Sequence, residues 1–170
     1  MGFGKAFGFS MLVFIGLNAG FFFLGYFVSG TLGAYFASLA ASPWNILFIF
    51  FGPIISAQYP LLLTSTFTSW FTGGPFSFGM LILFIGYIVA PILAAFLSGR
   101  FGENKNQAFF GWFATVMICA AVVLIGGVIQ LMLTGALIAL VISQITGSIS
   151  LGLIYGLACG SISLLTAREF

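Results

Sequence analysis

Between Lys5 and Arg100 the chain carries no charged residue, and between Lys105 and Arg168 it again carries none. A soluble domain is typically about 25% charged, whereas this chain is 4% charged and 62% hydrophobic, with mean hydropathy +1.28. Apolar runs of 18 residues or more recur along it, each long enough to cross a bilayer as a helix. A transmembrane barrel would need alternating apolar and polar positions over about 10 residues. These runs are continuously apolar, so they predict a single all-α membrane domain over residues 1–170, a polytopic helical bundle with very short loops.

Five helices are expected, over residues 6–28, 45–66, 78–97, 109–133 and 136–166. The N-terminal run, from Ala6 to Val28, is too long for a secretory signal core. Residues 29–42 are rich in small residues and read as a connection, with an interfacial helical turn around Ala34–Leu39. Pro43 restarts a helix at a favoured early position, beside Trp44, whose ring suits a membrane–water boundary. Pro53 and Pro60 should kink the second helix, because each frees a carbonyl and crowds the preceding turn. Pro91 should interrupt the third. Residues 98–107 form the plainly hydrophilic loop, expected to be irregular and exposed.

Basic residues near helix ends set orientation. Arg100 and Lys105 share one loop, and Arg168 falls on the same side two helices later. With five helices, that loop and the C-terminus are expected in the cytoplasm and the N-terminus outside, at the cell membrane. Six helices remain the alternative: two spans between Ser29 and Trp70 would bring Lys5 to the same side as the other three basic residues.

Two fourfold tracks of small residues mark the last helix: Ala139, Ser143 and Gly147, then Ser148, Gly152, Gly156 and Gly160. Residues four apart stack on one helix face. In a membrane, such faces let two backbones approach closely. At about 100° per residue the two tracks point roughly 160° apart, so two docking surfaces are expected, in the manner of a glycine zipper. The third helix has a matching track, Gly86, Ala90 and Ala94, the expected intrachain partner of the glycine-rich one, with a second subunit equally allowed. Gly16 and Gly20 form one further pair in the first helix.

Residues able to carry chemistry are sparse. Histidine is absent, and the side-chain carboxylates are Glu103 and Glu169 alone. Serines and threonines lack a base to activate them. No charge lies inside a span, where ion-coupled transporters and voltage sensors normally place one. No catalytic residue, metal site or cofactor is therefore expected. Cys119 and Cys159 read as small buried residues. With a net charge of +2 and no basic cluster, nucleic acid is not an expected partner; lipids and other integral membrane subunits are. The intramembrane amides Asn18, Gln58, Gln130 and Gln144 read as cross-helix hydrogen bonds or as a polar path. The second reading is best supported around Gln58, where Tyr59, Pro53 and Pro60 could line a cavity. The functional expectation is a non-catalytic accessory subunit of a larger membrane complex. The alternative is a small channel or transporter for a neutral or apolar solute.

Overall fold

The computed structural model describes residues 2–52, 68, 70–74, 76–135 and 137–167. The protein is an all-α bundle of membrane type. Four helices among the described residues are long and apolar enough to cross a bilayer: α1 (Gly2–Val28), α4 (Phe78–Phe101), α5 (Lys105–Leu133) and α6 (Ile138–Thr166). Two shorter helices, α2 (Leu32–Ala41) and α3 (Ile46–Phe51), lie between α1 and α4, joined by a 3-10 turn over Pro43–Asn45. The connection expected over residues 29–42 is thus mostly helical, with Gly30 at a positive φ of 68° turning the chain out of α1.

The helix ends have local causes. Asn104 caps α5: its Oδ1 accepts from the Gln107 N–H at 2.9 Å, while the Gln107 side chain turns back to accept from the Glu103 N–H. These bonds satisfy donors that a helix start leaves orphaned. Helix α5 therefore begins four residues before the expected Phe109. The anticipated hydrophilic loop shrinks to Gly102, Glu103 and Asn104. At the other end of α4, the Ser77 hydroxyl accepts from the Met80 N–H. Helix α4 continues through the fully enclosed Pro91 and ends at Phe101, not Leu97, with the Gly102 N–H still bonded to the Ser98 carbonyl.

Helices α1 and α4 run antiparallel and pack most extensively, and α5 and α6 form the second such pair. Gly2 is buried against Glu103 and Gln107, and Gly99 lies under Ser163 and Thr166. The start of α1, the α4–α5 loop and the end of α6 therefore share one end of the bundle. That end holds Lys5, Arg100, Glu103 and Lys105. At the other end, Gly25 and Ser29 meet Gly79. This corrects the expected sidedness, which placed the N-terminus opposite the loop. The chain leaves α1 and enters α4 at the same end, whereas a single span over residues 45–66 would require opposite ends. Residues 53–67, with Pro53, Gln58, Tyr59 and Pro60, lie outside the described residues.

The core is aromatic. Phe14 and Trp112 meet edge to face, with centroids 6.0 Å apart, among Ala90, Ala94, Ala95, Val116, Cys119 and Ala120. A second cluster joins Phe22, Ile49 and Leu83, with Tyr26 and Tyr35 against it. Short α3 enters from the uncharged end: Leu47 packs over Gly126, and Gly52 reaches the ring of Tyr87. Two short hydrogen bonds tie this wedge in place. Tyr35 donates its hydroxyl to the Asn45 carbonyl, and Gln130 Nε2 donates to Ser42 Oγ at 2.8 Å.

Candidate docking surfaces

A membrane helix gains nothing from hiding apolar surface, because lipid tails are apolar too. Contact is decided by packing and hydrogen bonds. The small residues therefore show where α6 can be approached. Ser148, Gly152, Gly156 and Gly160 are all buried. They face α5, not the Gly86–Ala90–Ala94 track. A methyl on Gly152 would lie 3.0 Å from the Ala120 Cβ. One on Gly156 would lie 2.9 Å from the Phe113 ring, and one on Gly160 would lie 2.6 Å from the Phe109 ring. Phe109 and Phe113 stack on each other at 5.8 Å with planes 15° apart. Gly156 and Gly160 serve as seats for two aromatic rings, and Gly152 meets the Ala120 methyl. The expected partner is corrected on this point. Fourfold spacing reveals a smooth face and carries no information about which neighbour occupies it.

The α4 track serves the other pair. Gly86 lies against Phe21 of α1, while Ala90 and Ala94 are enclosed in the Phe14–Trp112 cluster. Ser98, next in that track, donates its hydroxyl to the Ala108 carbonyl at 2.7 Å. Backbones also approach closely where α1 crosses α4 at Gly25 and Gly79. A Cβ on either glycine would collide with the carbonyl of the other.

The first α6 track divides. Gly147 is buried, whereas Ala139 and Ser143 are exposed. The Gln144 side chain beside them donates from Nε2 to Ser148 Oγ of the same helix at 3.2 Å and overlies Gly127 of α5. Two hydrogen bonds join helices at depth. Ser10 and Thr115 hydroxyls meet at 2.6 Å, and Trp112 Nε1 donates to the Tyr155 carbonyl at 3.1 Å. Bonds of this kind average about 0.6 kcal/mol in membrane bundles.

Helix α1 has two fourfold faces. The packed one is Gly2, Ala6, Ser10, Phe14, Asn18 and Phe22. Two residues on, which is about 200° around the helix, runs Gly4, Gly8, Leu12, Gly16 and Gly20. Among the described residues, a Cβ on any of these four glycines would meet nothing within 4 Å, and Leu12 is 69% exposed. Sequence reasoning registered Gly16 and Gly20 as one pair. It missed Gly4 and Gly8 because Leu12 breaks the run, although the spacing is unbroken. No described residue covers this outward strip of small residues. Its neighbours, Phe9, Phe23 and Phe27, are exposed rings.

Among the described residues, no group of three or more Cys, Asp or Glu side chains converges as a metal would require. A cavity of about 200 Å³ opens at the uncharged end, lined by Tyr26, Ser29, Thr31, Ser77, Gly79, Met80 and Leu83. Its hydroxyls are engaged locally: Ser29 donates to the Gly25 carbonyl and Ser77 caps α4. No protein-family model, curated protein or solved structure matches the chain.

Proposed function

We propose that the chain is a non-catalytic accessory subunit that docks laterally, through the outward face of α1, against a helix of another integral membrane protein. The observation that carries this reading is the open track Gly4–Gly8–Gly16–Gly20. Glycine costs roughly 1 kcal/mol relative to alanine inside a helix. Where α4 and α6 carry glycine on a packed face, a ring, a backbone or, at Gly152, the Ala120 methyl fills the space. On α1 four glycines of one face have no such filling among the described residues. A second membrane helix has the shape to supply it, since small residues admit close backbone contact. Lipids surround the remaining apolar faces.

The charged end, with Lys5, Arg100 and Lys105 together, faces the cytoplasm of the cell membrane on this reading, as the positive-inside rule requires. The absence of histidine and of intramembrane carboxylates from the sequence supports a non-catalytic role. The channel reading drew on Gln58, which lies outside the described residues. Where four spanning helices meet, Phe14, Phe22 and Trp112 fill the interior instead.

The test is a paired substitution. Gly16→Leu places a bulky side chain on the open face. It is expected to leave the purified chain folded and no less stable to heat than the wild type, since leucine replaces a poor helix former on an open face. It should also release co-purifying chains when native membranes are solubilised and the assembly is weighed by native mass spectrometry. An assembly that survives Gly16→Leu together with Gly8→Leu would remove α1 as the docking face.

A further inference from the structure

The buried polar side chains of the bundle are mostly paired: Ser10 with Thr115, Ser98 with the Ala108 carbonyl, Ser163 with the Gly160 carbonyl and Trp112 with the Tyr155 carbonyl. Asn18 differs. It is 2% exposed, and neither its Oδ1 nor its Nδ2 has a hydrogen-bond partner among the described residues. An amide in that position bears the full desolvation cost of a donor pair and an acceptor. Buried polar groups in folded proteins are otherwise bonded to protein or to ordered water.

The place of this amide in the fold is specific. Asn18 is one turn past Phe14 and one turn before Phe22 on the packed face of α1. Those two rings belong to separate clusters, so the amide lies at the junction between them. It is about 15 Å from Val28 at 1.5 Å per residue, near the middle of a hydrocarbon layer of about 30 Å. The antiparallel register of α1 and α4 is set by Phe9 on Phe101, Phe21 on Gly86 and Gly25 on Gly79. By that register Asn18 is level with the turn around Pro91, which has no N–H to give to the helix ladder.

We propose that Asn18 binds a water molecule inside the bundle, making an internal hydration site at mid-membrane depth. Three features select water. The amide is enclosed, so its partner is small. Its Nδ2 needs an acceptor and its Oδ1 a donor, and one water can supply either. Lys5, Arg100, Glu103 and Lys105 all sit at the far end of the bundle, so a neutral partner fits better than an ion. The site does not depend on what docks against α1.

The test uses the intact chain labelled with ¹⁵N at asparagine only, in deuterated micelles. There are four such residues: Asn18, Asn45, Asn104 and Asn106. The Asn18 side-chain resonance is assigned by its loss in Asn18→Leu. Should that chain not fold, Asn45→Ser, Asn104→Ser and Asn106→Ser assign it by elimination. Rotating-frame cross-relaxation separates a resident water from proton exchange. The expected result is a dipolar cross-peak from the Asn18 amide protons to water. Cross-peaks to protein protons alone, with none to water, would overturn the proposal.

Discussion

Replacing Gly79 by leucine is expected to abolish the folded bundle, and it is the most damaging single change the structure predicts. The site is the crossing of α1 over α4. A Cβ at Gly79 would strike the Gly25 carbonyl and also lie 2.8 Å from the Ser29 Cβ. Both obstacles lie on or next to the α1 backbone, and neither is the tip of a flexible side chain. Relief requires the helices to separate, which undoes the contacts along the most extensive pair in the bundle. Overpacking a rigid site costs about 1–3 kcal/mol, occasionally more. A forced shift of two backbones belongs at or above the top of that range. Gly79→Ala should be destabilised measurably and Gly79→Leu should run as an aggregate on size exclusion. Gly20→Leu is the control: it lies on α1 barely more than a turn from Gly25, yet faces open space. Wild-type behaviour of Gly79→Leu would show that the crossing is looser than described.

Trp112→Ala should rank second. The indole is fully enclosed, meets Phe14 edge to face and donates to the Tyr155 carbonyl of α6. It thus touches α1 and α6 from α5. Truncating a buried tryptophan costs about 3–5 kcal/mol in soluble proteins. In a membrane the transfer part is smaller, because the unfolded helix rests in lipid, but the cavity and the lost contacts remain. About 3 kcal/mol is expected. Trp112→Phe keeps most of the volume and removes the N–H donor, so a loss of about 0.6 kcal/mol, and at most about 1.7, is expected. Thermal unfolding in one detergent compares the two. Equal losses would mean that the hydrogen bond, not the filled volume, holds α5 to α6.

The long helices could be read from sequence because each is a continuous apolar run bounded by polar or turn residues. The start of α5 could not. Lys105, Asn106 and Gln107 are hydrophilic, and hydropathy places them in a loop. Their helical state comes from the Asn104 cap, a local hydrogen-bond device that hydropathy does not weigh. Sidedness failed for a related reason. Pro43 and Trp44, read as a helix start at the membrane boundary, favoured one span at residues 45–66 over two, and that odd crossing reversed the N-terminus relative to the loop. The contact of Gly2 with Glu103 and Gln107 restores it. The glycine tracks were visible as spacing. Their partners were not, since Phe109 and Phe113 lie on a different helix and nothing in α6 specifies a ring over a backbone. The outward α1 track and the orphaned amide of Asn18 needed the packed face of α1 to be known first.

The most direct measurement of the account is photocrosslinking in the native membrane. A photoreactive side chain is introduced at Gly16 on the outward face of α1, and, for comparison, at Leu153 on an exposed face of α6. The account predicts one discrete adduct from position 16, with an unlike membrane chain, abolished by Gly8→Leu, and lipid adducts from position 153. Lipid adducts alone from position 16, or adducts between copies of this chain, would contradict lateral docking through α1 to another membrane protein.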